Sequence, residues 1–220
     1  MSDRLVEKFH IELEMMKEHT LEMGALSRTM LQMSVRALTN QDLNLAAWVE
    51  NRRESLKHWD ESVEDEAIRL IALYQPMAQD MRTIASTLKM ITYLTRVGVY
   101  GKDIAVVVEK SEGMPTVRGF FNIPRMTKIV CTMVDEGLKG YATGSIAPIA
   151  TMGKRDDEVD ALFLSTMNGC ISAMTDDPRK IPICTNYILI ARYLERTGDH
   201  ACKIAEKVHY MVTGERIDIQ

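Results

Sequence analysis

The strongest constraint on this chain is an internal repeat. Tyr193-Leu194-Glu195-Arg196-Thr197-Gly198-Asp199-His200 keeps the frame of Tyr93-Leu94-Thr95-Arg96-Val97-Gly98-Val99-Tyr100, one hundred residues earlier. A chain that repeats over half its length builds one packed unit twice, and each copy needs its own buried seam. In the later copy Leu194, Thr197, Ala201, Ile204 and Val208 follow the 3-4-3-4 rhythm of a helix face, and Leu94, Val97, Gly101, Ile104 and Val108 do the same in the earlier one. The segments before these match at an offset of 103, which sets Arg53 and Lys57 against Asp156 and Asp160. The seams agree between copies, and the acidic positions do not.

Periodicity predicts a helix from about Arg4 to Thr39, ended by the turn chemistry of Asn40-Gln41-Asp42, and a second from about Leu43 to Tyr74. A third runs from Pro76 to about Lys110, because proline suits a first helical turn and not an interior. Glu112-Gly113-Met114-Pro115 and the aromatic stretch to Pro124 break the pattern. A helix over about Arg125–Ala142, a turn at Thr143 to Pro148, a helix over about Ile149–Thr175 and a turn at Asp176-Asp177-Pro178 follow, and the last helix runs from there to about Val212, closed by Gly214. No segment alternates as a strand would. The expected fold is all-α, two tandem antiparallel three-helix bundles over residues 1–113 and 122–214.

Composition narrows the function. The hydrophobic share of 46% suffices for a core, while 31 acidic against 27 basic side chains, scattered, leave no electrostatic footprint for nucleic acid. No apolar run reaches the roughly 20 residues that span a bilayer, and Met1-Ser2-Asp3-Arg4 leads into amphipathic sequence. A cytoplasmic protein is expected, peripheral to a membrane only through a partner. Cys131, Cys170, Cys184 and Cys202 have neither zinc-site nor secreted-scaffold spacing and read as reduced core thiols. Phe9, Met16, Met23, Met30 and Ala37, at intervals of seven, read as core filling.

With Leu194 at the centre of the seam and ~100 degrees per residue, Glu195, Asp199, Cys202 and Glu206 share one flank of the last helix. Asp156 and Asp160 take a similar flank on the helix before it. If the flanks face each other, Asp156, Asp160, Glu195 and Asp199 converge, repel one another and call for an oxygen-liking cation. Arg192, Arg196 and Lys203 are near enough along the chain to neutralise part of that charge, as on an ordinary solvated face. The earlier copy presents Thr95, Val99, Lys102 and Val106 opposite Arg53 and Lys57, a flank without acid; Val99 and Val106 there would suit a protein contact or a wider core. His200 reads as a structural contact or a partner for a carboxylate, and not as a ligand. Glu7-Lys8-Phe9-His10 and Glu206-Lys207-Val208-His209 show Glu-x-x-His spacing, but they fall in separate bundles and so do not compose a di-iron enzyme site. No nucleophile elbow or phosphate-cradling glycine loop is present, and no enzymatic activity is expected.

Leu194-Glu195-Arg196-Thr197-Gly198-Asp199-His200-Ala201, followed by Ile204-Ala205-Glu206, resembles the signature of the PhoU family of phosphate-transport regulators. Gln75-Pro76-Met77-Ala78-Gln79-Asp80-Met81-Arg82 is similar to the segment that opens the third helix of that family's first repeat. The resemblance covers nearly the whole chain. It implies a cytoplasmic homodimer that represses phosphate uptake and phosphate-starvation signalling as an adaptor between a phosphate ABC transporter and a sensor histidine kinase. It also implies an acidic motif, Glu or Asp followed by Asp four residues later, that binds iron, zinc or other metal ions. Here the motif is matched by Asp156 with Asp160 and by Glu195 with Asp199, and is missing from the first repeat. A metal-independent helical module serving another transport or signalling system is the alternative.

Overall fold

The computed structural model describes residues 3–114 and 122–219, so the Pro115–Phe121 part of the expected linker, together with Met1, Ser2 and Gln220, lies outside the described residues. Seven α-helices are formed among the described residues, with no strand: α1 (Asp3–Asn40), α2 (Leu43–Glu50), α3 (Arg53–Tyr74), α4 (Ala78–Lys110), α5 (Asn122–Thr143), α6 (Met152–Asp176) and α7 (Ile181–Thr213). Asp42 caps α2 by accepting from the Leu45 amide at 3.0 Å, and Gly214, at φ 79, closes α7 with its amide on the Tyr210 carbonyl. A left-handed turn is needed there, and glycine adopts it without strain.

Three expectations need correction. The predicted Leu43–Tyr74 helix is broken after Glu50: the Arg52 amide bonds the Val49 carbonyl three residues back, so the backbone tightens for one turn before α3 begins at Arg53. Neither proline nor glycine marks that break. The third helix starts at Ala78 and not at Pro76, because Gln75 ends α3 in the left-handed region and Met77 is extended. Residues before Met152 form a short 3-10 turn, Ala147–Ile149, which delays α6.

α1, α4, α7 and α5 form a closed ring of neighbours; α2 and α3 pack outside α1 and α4, and α6 outside α5 and α7. One continuous hydrophobic core runs through both repeats, so the two bundles do not bury separate interiors. Phe9, Met16, Met23, Met30 and Ala37 are all buried in it, as are both 3-4-3-4 seams. Each buried Leu, Ile, Val, Met or Phe among them contributes roughly 1.5–3 kcal/mol by leaving water. Gly101 lets α4 approach α1 so closely that a Cβ there would stand 2.7 Å from the Leu31 amide nitrogen.

The α4 and α7 helices meet antiparallel through four stacked rings in the order Tyr93, His200, Tyr100, Tyr193, with centroid spacings of 5.8, 5.7 and 5.5 Å. Exchanging the repeats maps this stack onto itself. A pseudo-twofold axis therefore passes between Tyr100 and His200, and His200 is the structural contact expected of it.

Candidate metal centre

Two helices build the acidic flank. Gly198 of α7 is buried against Asp156 of α6; a Cβ on it would lie 2.6 Å from Asp156 Oδ1. This close crossing carries Asp156 under α7, where the residue is 9% exposed, while Asp160 one turn later stays at the surface. Glu195 is half-buried and Asp199 is exposed on the facing side of α7. The structure thus brings the four sequence-predicted carboxylates into one electrostatic neighbourhood, graded from interior to solvent.

Burial is the main cause that raises the Asp156 carboxyl to about 6, with the charges of Asp160 and Asp199 adding to it and a hydrogen bond with Cys202 opposing it. Desolvation and the charge of Asp199 also raise Asp160 and Glu195; Arg192 opposes the rise in both. Arg192 donates to Glu195 Oε1 at 2.5 Å and lies 5.7 Å over the Phe163 ring. Even so, Asp156 Oδ1 and Glu195 Oε2 are buried without a hydrogen-bond partner. Buried carboxylate oxygens left unpaired are costly and are the kind of atom a cation satisfies.

The donor set is all oxygen. It suits iron, manganese, magnesium or calcium better than the sulfur- and nitrogen-rich shells typical of structural zinc. As the side chains stand, no three His, Cys, Asp or Glu groups among the described residues converge closely enough to hold a metal ion. The residues therefore offer a cation negative charge and two orphaned oxygens, but not a closed shell.

Two neighbours on the expected flank are committed elsewhere. Cys202 is a buried thiol against Asp156, held protonated by burial and by that carboxylate. Glu206 is buried, accepts from Lys203 Nζ at 2.8 Å and from the Ile219 amide at 3.2 Å, and so fastens the C-terminal tail. Neither Glu-x-x-His segment faces a shared site: His10 Nδ1 lies 3.0 Å from the Val6 carbonyl and His209 Nδ1 3.1 Å from the Glu215 carbonyl.

The first repeat differs as its sequence implies, with one addition. Arg53 and Lys57 are exposed, Lys57 pairing with Glu61, and Val99 and Val106 are half-buried. Thr95 donates to Asp60 Oδ1 at 2.9 Å, so a carboxylate that the repeat offset sets against Phe163 faces α4 here. Its position one turn beyond Arg53 and Lys57 on the same helix was the only sequence signal for it.

The PhoU domain family matches this chain twice, at residues 20–108 and 123–208. A phosphate-specific transport system accessory protein PhoU homolog of Rhizobium meliloti is 35% identical over 96% of this chain and 89% of its own length. A homolog with the same description from Clostridium acetobutylicum is 30% identical over 96% of this chain and 97% of its own. The crystal structure of PhoU from Pseudomonas aeruginosa superposes with a TM-score of 0.90 and 31% identity, over 94% of this chain and all of that one.

Proposed function

The chain belongs to the PhoU family, and on that premise we propose that it is a regulatory adaptor that restrains phosphate transport and phosphate-starvation signalling through contacts with an ABC transporter and a sensor kinase, as a homodimer. It is an accessory protein of phosphate-specific transport by kinship with its curated relatives, and regulation of that system is the role the kinship supports. A metal ion on Asp156, Asp160, Glu195 and Asp199 is the finer part of the proposal. The observation that carries it is the pair of buried, unpartnered oxygens, Asp156 Oδ1 and Glu195 Oε2, at the α6–α7 crossing. A bound cation would neutralise the carboxylates and tie α6 to α7, fixing the outer surface that a partner reads. The second repeat would hold it alone, since Thr95, Val99, Arg53 and Lys57 stand in the corresponding places.

A second reading keeps the adaptor without the metal, as a helical interaction module. It is favoured by the open arrangement of the acids, of which no three converge on one point among the described residues.

Elemental analysis of protein purified without chelator or metal-affinity tag, beside Glu195→Ala/Asp199→Ala, separates the two. Near-stoichiometric metal lost in a still-folded variant supports the first. Protein that carries no metal and takes up none on addition removes the metal and leaves the module. Co-purification of the transporter's ATPase subunit and of the sensor kinase with the parent protein tests the adaptor itself; failure to retain either partner in both preparations sinks it.

A further inference from the structure

We infer that the end of the α4–α7 pair under the C-terminal tail is a binding site for a tetrahedral oxyanion of the phosphate class. A cavity of 330 Å³ lies there, lined by Ser86 and Lys89 of α4, Glu206, Lys207 and Tyr210 of α7, and Arg216 of the tail. Its volume exceeds that of a single water, about 30 Å³, by an order of magnitude. The tail is fixed over it by the Ile219 amide on Glu206 and by the Lys203–Asp218 ion pair at 3.1 Å. Arg216 lies over the Tyr210 ring at 5.6 Å, a contact that orients the guanidinium and leaves its N–H groups free to donate.

Three cations line this space, and among the described residues neither Lys89 nor Lys207 has a carboxylate partner. The one acid in the lining, Glu206, is already neutralised by Lys203. Ser86 supplies an independent sign of a ligand. Its hydroxyl is 1% exposed yet has no hydrogen-bond partner, although Thr87 beside it bonds the carbonyl four residues back at 2.9 Å. A buried hydroxyl that forgoes that bond has a donor to offer, and an oxyanion among cations accepts it.

The pseudo-twofold axis provides a control. It relates the residues of this site to residues 185, 186, 189, 106, 107 and 110 at the other end of the α4–α7 pair. There Leu189 and Val107 stand at the positions of Lys89 and Lys207, and Asn186, the counterpart of Ser86, donates to Ser111 Oγ at 2.9 Å. Cations and a free donor occur together at one end only. The same chemistry is offered by inorganic phosphate and by an anionic lipid headgroup.

The test is calorimetric titration of the full chain with inorganic phosphate, and co-sedimentation with phosphatidylglycerol–phosphatidylcholine vesicles, for the parent and for Ser86→Ala, Lys89→Gln and Lys207→Gln. Lys128→Gln, on the α1–α5 face, controls for non-specific charge. Saturable phosphate binding weakened roughly tenfold or more by each site variant and unchanged by Lys128→Gln is expected for the free anion. Vesicle binding with the same variant pattern and no response to phosphate supports the site with a headgroup as occupant. Absence of both, or binding that Lys128→Gln weakens equally, overturns it. The substitutions at Lys89 and Lys207 leave the core untouched, so the circular dichroism of those two variants should match the parent's.

Discussion

Tyr100 and His200 hold the same place in the two repeats and lie against each other, the phenol oxygen 3.3 Å from imidazole Nε2. A residue can touch its own repeat counterpart only beside the pseudo-twofold axis, so this pair marks the axis. Tyr93 and Tyr193 flank it symmetrically.

Tyr100→Ala removes two ring contacts from the α4–α7 interface and should cost about 3 kcal/mol, whereas Tyr100→Phe, which keeps the ring, should cost about 1. Urea unfolding measures both. A Tyr100→Ala loss no larger than that of Tyr100→Phe would show that the stack contributes little.

Burial lowers the His200 pKa, so the folded protein prefers the imidazole neutral. A group so shifted binds its proton more readily when unfolded; its stabilisation is present above pH 6.5 and is lost as the pH falls below that. His200→Phe should therefore flatten the decline of Tm between pH 6.5 and 5. An unchanged slope would assign that decline to other groups.

Asp156 acts with the opposite sign. Its carboxyl is raised from 3.8 to about 6 by burial and by its acidic neighbours, so the metal-free fold loses stability as the pH rises through that window and keeps the penalty above it. Asp156→Asn in chelator should raise stability at pH 7 by roughly 1–2 kcal/mol, allowing for partial solvent screening, with no gain at pH 3.5. A gain of equal size at both pH values would place its origin in something other than ionisation.

Glycines at three helix positions should respond differently to alanine. Gly101→Ala presses on α1 backbone and should be the most damaging, at roughly 3 kcal/mol or more; Gly198→Ala displaces the Asp156 side chain at a cost of about 1–3. At Gly169 a Cβ meets nothing within 4 Å, so alanine there should add about 0.5–1 kcal/mol of stability. Thermal melts rank the three, and any other order contradicts the packing described.

Much of this was readable beforehand because a buried seam imposes its period on the residues: the methionines of α1 and the paired seams of α4 and α7 occupy the core that their spacing required. The acidic flank was legible for the same reason, since a seam fixes where its sides point. The break at Asn51–Arg52 was not, because its residues carry no turn signature and its cause is a local change from four-residue to three-residue hydrogen bonding. Nor was the ring stack, which joins residues that helical spacing cannot relate across repeats. Asp60 escaped because its partner Thr95 is polar but not acidic, so a comparison of charges passed over it.

The self-mapping stack at the α4–α7 interface has the layout of a contact between two copies of one ancestral half. Two identical copies would carry every substitution twice, once on each side of the axis. Joined in one chain, the halves were freed from that obligation: Glu195 could arise without a matching glutamate at Thr95, and Lys89 without a matching lysine at Leu189. The molecule therefore has a distinguishable front and back, which a protein needs if it is to present different chemistry to different neighbours.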